Sequence, residues 1–266
     1  MSNAGTVSVV KVGGNIIDDE ARLDAFLSDF SSLPGTKVLV HGGGKLATRM
    51  AADLGIPQTM VEGRRITDAA TLRIVTMVYA GLINKSIVAS LHAKGCPALG
   101  LCGADADIVQ AHKRSHPNMD YGFVGDVDRV DGMRLSQWLD AGLALVLSPI
   151  THDGRGSLLN TNADTIAQEA ARALAAFRPT VLAYCFEKPG VLLDASDDNT
   201  LIPHLEPGTY RRLKEEQRIF AGMIPKLDNA FDALRSGVGK VCIGQAESLH
   251  ALLNGQAGTT LTLEPS

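Results

Sequence analysis

The stretch "KVLVHGGGKLATRMAADLG" (residues 37–55) decides which fold class the sequence predicts. Its apolar start is typical of a strand and runs into three glycines, and helix-forming residues then continue to Gly55. Glycine permits a positive φ and a close approach of the backbone, and the first turn of a helix offers free N–H groups to an anion. The stretch therefore predicts a strand, a tight turn and a helix, in which the turn either holds a ligand or only redirects the chain.

The same order of elements recurs along the chain. "VSVVKVGGN" (residues 7–15) is another apolar run that ends in glycines. Further strands are predicted at residues 97–103, 143–150, 180–187 and 240–244, with helical patterns between them that include a long one at 68–95 and an alanine-rich one at 163–177. Strands that alternate with helices predict an α/β fold with a mainly parallel central sheet. Residues 104–131 alternate polar and apolar side chains, which predicts a hairpin on the edge of that sheet.

The two glycine turns follow two strands of this predicted sheet. Because the carboxyl ends of parallel strands meet at one edge, where ligands bind, we expect the turns to lie close together. Lys11 stands before the first turn in a strand that is otherwise apolar. A buried, unpaired lysine is costly, so its amine either reaches water or is directed at an anion.

Three familiar glycine motifs fit these turns poorly. The strict G-x-G-x-x-G fingerprint is missing, and only its loose form matches "GGGKLA" (residues 42–47). The phosphate loop fails because Leu46 follows Lys45. An H-G-G-G oxyanion turn would need a G-x-S-x-G nucleophile elbow, and the sequence has none. Two plain strand-to-helix turns remain the alternative to an anion site.

Composition restricts the function classes. The 266 residues include 45% hydrophobic and 5% aromatic residues and carry a net charge of −4, so no basic surplus indicates nucleic acid or a membrane surface. The four cysteines form no C-x-x-C pair, which predicts reduced thiols rather than a zinc site or a disulfide framework. No cationic leader and no run of 18 apolar residues is present. We expect a soluble, cytoplasmic protein with one large domain or two lobes.

Two polar segments stand at predicted helix starts. "LLNTNAD" (residues 158–164) contains Asn160, Asn162 and Asp164, of which Asn162 is suited to cap the helix. Capping explains one or two of the three, and Asp164 is a candidate to orient lysines or hold a metal. Lys226 lies near the start of another helix, where a cation opposes the helix dipole unless an anion is present. A solvated lysine is the alternative.

Five motifs in order, K-x-G-G, H-G-G-G, G-x-R-x-T, N-x-N-A-D and G-M-x-x-K, resemble the amino acid kinase superfamily and, within it, the N-acetylglutamate kinases. The resemblance implies a three-layer αβα sandwich. It also implies that residues 1–177 form an N-terminal lobe for the acylated amino acid and for dimerisation, and that residues 178–266 form a C-terminal lobe for MgATP. The implied reaction transfers the γ-phosphoryl group of ATP to the side-chain carboxylate of N-acetyl-L-glutamate, in arginine biosynthesis.

The resemblance assigns roles to individual residues. The implied catalytic residues are Lys11, Asp164 and Lys226. The implied substrate-binding residues are Gly43, Gly44, Arg65 and Asn160. The implied phosphate- and nucleotide-binding residues are Gly13, Gly14, Glu187, Gly190, Gly222 and Met223.

The implied chemistry suits this set of residues. A glutamate carboxylate is already ionised at neutral pH, so the reaction requires no general base, and His41 is explained as a strand-end residue. Catalysis then consists of positioning and charge neutralisation by lysines and backbone amides. We expect Mg²⁺ to arrive with ATP and no metal ligand from the protein.

The match loosens in two places. "CFEKPGVLLD" (residues 185–194) and Ala221 depart from the family's pattern at the nucleotide, where Glu187 and Gly190 are the substitutes and Lys188 is an open candidate. Neither Arg65 nor Asn160 distinguishes acetyl from a larger acyl group, so N-succinyl-L-glutamate is an alternative substrate. We expect residues from the loop of the 60s and from the hairpin at 107–126 to form the acyl pocket. A non-catalytic regulator that binds nucleotide or amino acid on the same fold is the remote alternative.

The resemblance also predicts the assembly. Arginine-sensitive relatives carry an additional N-terminal helix, whereas the first strand here begins near residue 7. We therefore expect a homodimer that arginine does not inhibit, with the helix at residues 68–95 as a candidate dimer surface.

Overall fold

The computed structural model describes residues 5–61, 64–219 and 223–263. The strands in this part of the chain are β1 Val7–Val12, β2 Thr36–His41, β3 Met60–Val61, β4 Arg64–Arg65, β5 Ala98–Leu101, β6 Val109–Lys113, β7 Gly125–Val130, β8 Ala144–Leu147, β9 Ile150–His152, β10 Leu158–Asn160, β11 Thr180–Phe186, β12 His204–Leu205, β13 Lys240–Gln245 and β14 Thr259–Leu261. The helices are α1 Gly14–Ile17, α2 Glu20–Ser32, α3 Gly44–Asp53, α4 Ala69–Val75, α5 Asn84–Ala93, α6 Gly132–Asp140, α7 Ala163–Ala175, α8 Pro207–Glu215, α9 Ile224–Arg235 and α10 Leu249–Leu253.

The main sheet has the strand order β12-β14-β13-β11-β1-β2-β8-β5. The six strands from β13 to β5 are parallel to one another, whereas β14 runs antiparallel to β13 and carries β12 beside it. Strands β1 and β11 are therefore central. The glycine turn after β1 lies next to the glycine turn after β2, as the sequence predicts.

Two hydrophobic cores cover the two faces of this sheet. Because side chains alternate along a strand, Val7 and Val9 enter the core beneath α7 and α9, whereas Val10 and Val12 enter the core beneath α2 and α5. This arrangement confirms the three-layer αβα sandwich with a mainly parallel sheet. Lys11 has the same parity as Val7 and Val9, so the alternation places it on the face covered by α7 and α9.

The predicted hairpin forms, but its predicted position is wrong. Strands β6 and β7 pair antiparallel in a separate four-stranded sheet of order β10-β9-β6-β7, and not on the edge of the main sheet. The chain leaves the main sheet after β5, where Ala106 and Asp107 both adopt a positive φ near 55° (51° and 57°). Gly103 permits this departure, since a Cβ there would lie 2.6 Å from the Val109 carbonyl oxygen.

The strand predicted at residues 143–150 is likewise two strands. It ends as β8 at Leu147 and resumes as β9 at Ile150, with Pro149 between them. A proline cannot donate to the ladder of a central strand, so the chain passes at this point from the main sheet to the second sheet. The break lies beside the glycine turn that follows β2.

The long helix predicted at residues 68–95 spans Ala69–Ala93 and changes geometry in its middle. Its α-helical ends, α4 and α5, flank a π-helical segment at Thr76–Ile83, a geometry that often occurs near functional sites. By length and apolar composition this helix could cross a membrane. In this fold its residues Ile74, Ile87 and Leu91 are buried in the core beside the sheet.

Candidate active site

Asp164 lies between two lysines that come from distant parts of the sequence. The Lys11 Nζ is 2.7 Å from Asp164 Oδ1, and the Lys226 Nζ is 4.0 Å from Asp164 Oδ2. Lys11 stands near the end of β1, Asp164 in the first turn of α7, and Lys226 in the first turn of α9. The structure thus brings together the three residues that the sequence proposes as catalytic.

The charges of this cluster depend on one another. Burial by itself would raise the pKa of Asp164, but the positive charges of Lys11 and Lys226 outweigh burial and lower that pKa below its ordinary value. Burial lowers the pKa of Lys226, and Asp164 partly offsets this effect. Asp164 is therefore a carboxylate that keeps two ammonium groups side by side.

The start of α7 shows how the polar residues before it divide their roles. The Asn162 side chain accepts hydrogen bonds from the Asp164 and Thr165 N–H groups, at 2.7 and 3.4 Å. Asn162 is thus the N-cap, as predicted, and Asp164 is left free to pair with the lysines. The Asn160 amide donates instead to the Thr67 hydroxyl at 3.0 Å, on the opposite side of the turn.

The glycine turn after β2 has a conformation that few other residues could adopt. Gly43 has a φ of +144°, and a Cβ there would lie 2.2 Å from the Ile83 Cδ1 of the π-helical segment. Helix α3 begins immediately afterwards at Gly44, so its first N–H groups have no partner within the helix. This pair of glycines therefore presents backbone donors at a helix start.

A buried histidine, His41, stabilises the glycine turn after β2 through hydrogen bonds. His41 Nδ1 donates to the Gly42 carbonyl at 2.9 Å, and His41 Nε2 accepts from the Asn84 amide at 3.2 Å. The Asn84 amide also donates to the Val146 carbonyl at 3.0 Å, which ties the histidine to β8. Burial lowers the pKa of His41 to about 4, so the ring is neutral at physiological pH. The sequence explanation of His41 as a strand-end residue agrees with this position.

A cavity of about 230 Å³ opens beside this turn, and we call it the arginine-lined cavity. Its lining includes Gly43, Gly44, Arg65, Arg114 and Asn160. It thus contains all four residues that the sequence proposes for substrate binding, together with one arginine, Arg114, that sequence reasoning did not single out. The only signal for Arg114 was its place in the predicted hairpin, which had been expected to form the acyl pocket.

Arg65 is firmly held within this cavity. Its Nη2 donates to the Gly44 carbonyl and to the Thr48 hydroxyl, both at 3.0 Å, and its Nη1 donates to the Gln58 side chain. These acceptors engage three of the five N–H donors of the guanidinium group, and the Tyr79 phenol is a further hydrogen-bonding neighbour of Arg65. Burial raises the pKa of the Tyr79 phenol in the π-helical segment. The positive charge of the nearby Arg65 lowers that pKa and partly offsets the effect of burial.

A second cavity, of about 350 Å³, lies on the other side of the Asp164 cluster, and we call it the lysine-lined groove. Its lining residues include Lys11, Gly13, Gly14, Glu187, Lys188 and Lys226. The Gly13 N–H is already engaged, because it donates to the Cys185 carbonyl at 3.1 Å. Lys226 also lies 5.2 Å from the centre of the Phe186 ring, which forms part of the same wall.

Two of the residues proposed for the nucleotide lie apart from the groove lining, and a third cannot be placed. Gly190 packs against Leu201 and Thr259, where a Cβ would lie 2.6 Å from the Leu201 Cδ1 and 2.7 Å from the Thr259 Oγ1. Met223 precedes α9 and packs against the core beneath it. Gly222 lies outside the described residues. The part of the chain that the structure describes contains no group of three or more His, Cys, Asp or Glu side chains that could hold a metal.

The model of the amino acid kinase family matches residues 6–245 of the chain. The chain belongs to this family. Among its relatives, the acetylglutamate kinase of Cytophaga hutchinsonii is 55% identical over 247 residues, which cover 92% of this chain and 94% of the relative. The acetylglutamate kinase of Bacteroides fragilis is 53% identical over 244 residues, again covering 92% of this chain and 94% of the relative.

The fold of this amino acid kinase family member also resembles a solved structure. N-acetylglutamate synthase from Neisseria gonorrhoeae, solved with coenzyme A and N-acetyl-glutamate, matches with a TM-score of 0.81 at 23% identity. That match covers 98% of this chain but only 60% of the synthase chain. The likeness concerns the fold, and it agrees with the αβα sandwich described above.

Proposed function

We propose that this chain is an ATP-dependent kinase that phosphorylates the γ-carboxylate of N-acetyl-L-glutamate to an acyl phosphate, in arginine biosynthesis. The relatives named acetylglutamate kinase, more than half identical over nearly the whole chain, support this proposal. The observation that carries it is the Asp164 cluster, in which Lys11 and Lys226 stand side by side between two cavities.

The two cavities suit the two substrates. We assign the acylated glutamate to the arginine-lined cavity, with Arg65 on its α-carboxylate and Asn160 on its other α-substituents. We assign the phosphates of ATP to the lysine-lined groove, where Gly14 and Glu187 lie near the two lysines. Residues 1–177 would thus serve mainly the amino acid and residues 178–266 mainly the nucleotide.

The residues of the chain then act by position and charge. Arg65 and Asn160 would orient the substrate so that its ionised γ-carboxylate meets the phosphoryl group near Gly43 and Gly44. Lys11 and Lys226 would balance the negative charge that spreads over the transferring phosphoryl oxygens, and Asp164 would fix the separation of their ammonium groups. The reaction needs no general base, because the attacking carboxylate is already ionised.

We expect Mg²⁺ to enter with ATP and to be held by the phosphates. The donor set of the lysine-lined groove fits this expectation, since Glu187 is its one lining carboxylate among the described residues, whereas three lysines, Lys11, Lys188 and Lys226, line it. Bound to the phosphates, the ion would neutralise part of their charge. All other charge balance in this proposal comes from the chain.

We further propose that the protein is a cytoplasmic homodimer. The helix at Ala69–Ala93 exposes two large apolar side chains, Met77 and Leu82, each about half accessible (53% and 51%). Two such helices would bury these side chains against each other.

An acyl phosphate can be trapped, which makes the proposal testable. Incubation with N-acetyl-L-glutamate, MgATP and hydroxylamine should give the hydroxamate. The variant Lys11→Gln should lower kcat by roughly 100- to 1,000-fold, the cost of removing one group that stabilises transition-state charge. Lys94→Gln is the matched control, since Lys94 pairs with Asp24 far along the chain from the site and its loss should leave kcat unchanged. Absence of ATP-dependent hydroxamate with the unaltered protein would refute the proposal.

A further inference from the structure

Helix α3 lies between the two cavities and is held on its substrate side by Arg65. Its first residue, Gly44, lines the arginine-lined cavity, and the Gly44 carbonyl accepts from Arg65 at 3.0 Å. The Thr48 hydroxyl, one turn later, accepts from the same guanidinium group at 3.0 Å. One face of α3 is therefore fixed to the cavity in which we place the acylated glutamate.

A neighbouring face of α3 contacts α1, which follows the glycine turn after β1. Lys45 Nζ donates to Asn15 Oδ1, and Arg49 Nη2 lies 3.8 Å from Asp18 Oδ1. Lys45 and Arg49 are four residues apart and so share one face of α3. Asn15 lies within α1 and lines the lysine-lined groove, and Asp18 directly follows α1. We call these four residues the α1–α3 bridge.

Asp18 is the member of the α1–α3 bridge that stability alone does not explain. Its side chain is only 12% exposed, which is less than the 20% of Asp164 between its two lysines. Both carboxylate oxygens of Asp18 are buried, and among the described residues neither has a hydrogen-bond partner. A carboxylate that is buried without hydrogen bonds costs free energy, so a neutral side chain would suit the packing of α1 better.

Asp18 lies directly against the glycine turn after β1. Its N–H donates to the Gly14 carbonyl at 2.9 Å, and a Cβ on Gly14 would lie 3.7 Å from Asp18 Oδ2. Gly14 lines the groove in which we place the phosphates. Because β1 and β2 are neighbouring parallel strands with Val12 opposite His41, the two glycine turns begin side by side. The attraction between Asp18 and Arg49 therefore acts across the space between the two turns.

An ordinary surface ion pair is the competing explanation, because the Arg49 side chain is 65% exposed. The pair of Arg22 and Glu247 supplies a reference, with Nη2 and Oε1 2.5 Å apart and both side chains about half exposed (42% and 51%). Such surface pairs contribute little to stability. The α1–α3 bridge differs because its carboxylate is buried and because a second contact, from Lys45 to Asn15, joins the same two helices. Two contacts on one face fix an orientation, which a single pair does not.

We propose that Asp18 and Arg49 are positioning residues, which set the separation of the two glycine turns and with it the distance between the attacking carboxylate and the transferring phosphoryl group. This inference rests on the proposed kinase function, and neither residue lines either cavity. Each substrate binds through the residues of its own cavity, whereas transfer requires the reacting atoms to lie about 3 to 3.5 Å apart. The pair should therefore affect kcat and leave the affinity for both substrates unchanged.

Arg49→Gln is the first test, because its exposed side chain can be changed without loss of folding. We expect kcat to fall about ten-fold, since a misplacement of about 1 Å costs about a hundred-fold and the Lys45 contact remains. The Kd values of N-acetyl-L-glutamate and of a non-hydrolysable ATP analogue, measured by isothermal titration, should stay within about two-fold. Arg49→Lys keeps the positive charge and should restore most of kcat. An unchanged kcat in Arg49→Gln, or a loss matched by weaker binding of either ligand, would overturn the proposal.

A double-mutant cycle with Asp18→Asn tests whether the two residues act together. If they do, each single variant and the double variant should all lose about ten-fold in kcat. Losses that multiply to about a hundred-fold in the double variant would mean independent effects and would overturn the pair. Arg22→Gln is the matched control, which should leave kcat unchanged. Should Asp18→Asn fail to fold, the two Arg49 variants decide the question by themselves.

The inference and the proposed function fail in different ways. If the unaltered protein forms hydroxamate from N-acetyl-L-glutamate and MgATP, and Arg49→Gln forms it at the same rate, only the role of the pair is wrong. If the unaltered protein forms no hydroxamate, the kinase function is wrong and the inference falls with it.

Discussion

The arginine-lined cavity and the lysine-lined groove meet at the start of α7 and hold their cations in different ways. Arg65 donates to three acceptors of the chain, which fix the direction of its guanidinium plane. Lys11 and Lys226 both pair with the Asp164 carboxylate, and within the described ranges neither has a second ion-pair partner. A directed planar fork suits a substrate carboxylate that must stay still, whereas compact ammonium groups suit a phosphoryl group that moves.

Removal of the Asp164 carboxylate, which Lys11 and Lys226 share, should lower activity more than any other change proposed for the two cavities. Asp164→Asn keeps the shape of the side chain but leaves two ammonium groups facing each other without a negative charge between them. We expect kcat to fall by roughly 100- to 1,000-fold while KM for the acylated glutamate changes little, because other residues form the arginine-lined cavity proposed for that substrate. Steady-state kinetics with both substrates varied would measure this separation.

The pH profile of that variant provides an independent readout. Asp164 raises the pKa of Lys226 against the larger, lowering effect of burial, so without Asp164 this pKa should fall further. The loss of activity should therefore grow as pH rises. Asp140→Asn is a suitable control. Asp140 Oδ1 lies 2.7 Å from Nη2 of the buried Arg178, and neither residue lines either cavity. It should lower stability and spare kcat, and a pH-independent loss in Asp164→Asn would contradict the role of Asp164.

Replacing the Arg65 guanidinium by an ammonium group should have a smaller effect on activity, and that effect should be confined to the arginine-lined cavity. Arg65→Lys keeps the charge but loses the fork that donates to Gly44, Thr48 and Gln58 at once. We expect KM for the acylated glutamate to rise by about ten- to a hundred-fold, the cost of one or two charge-assisted hydrogen bonds, while KM for ATP stays constant. Steady-state kinetics would measure both KM values. Isothermal titration with the acylated glutamate and with a non-hydrolysable ATP analogue would check the corresponding Kd values. Equal weakening of both ligands would mean that the two cavities are not independent.

The family resemblance implied the grouping of Lys11, Asp164 and Lys226, and local rules account for the positions of Lys11 and Asp164. Period-two alternation in β1 places Lys11 on the face of α7 and α9, and an Asn cap places Asp164 in the first turn of α7. The strand order of a parallel sheet then brings the two glycine turns together. None of these steps requires contacts between distant side chains beyond the fold class itself.

The second cavity was harder to predict because its walls come from irregular parts of the chain. The hairpin was expected on the edge of the main sheet. Ala106 and Asp107, which redirect it, both have a positive φ, and an alanine gives no sequence signal for that conformation. A run of helix-forming residues likewise does not predict the π-helical segment that brings Ile83 against Gly43. Arg114 could be recognised only once the hairpin was known to face Asn160.

The smallest expected effect concerns acid stability, and it should distinguish the two cavities by their histidines. His41 supports the arginine-lined cavity from behind, whereas no histidine is among the described residues that line the lysine-lined groove. Because burial lowers the pKa of His41 to about 4 in the folded protein, the unfolded chain takes up a proton first as pH falls below about 6.5. The contribution of His41 to stability is therefore complete above that pH and is lost as pH falls toward 4.

Between pH 6.5 and 5.5 this loss should amount to about 1 kcal/mol of the free energy of unfolding. Urea unfolding at pH 7.5, 6.5 and 5.5 would measure it, and His41→Gln should remove that part of the pH dependence. His112→Gln, at an exposed histidine that pairs with Asp128, is the control that should retain it. If both variants keep the same pH dependence, the neutral His41 does not hold the Gly42 carbonyl as described. If His41→Gln alone flattens the dependence, acid would first loosen the turn that presents Gly43 and Gly44, on the side of the site proposed for the acylated glutamate.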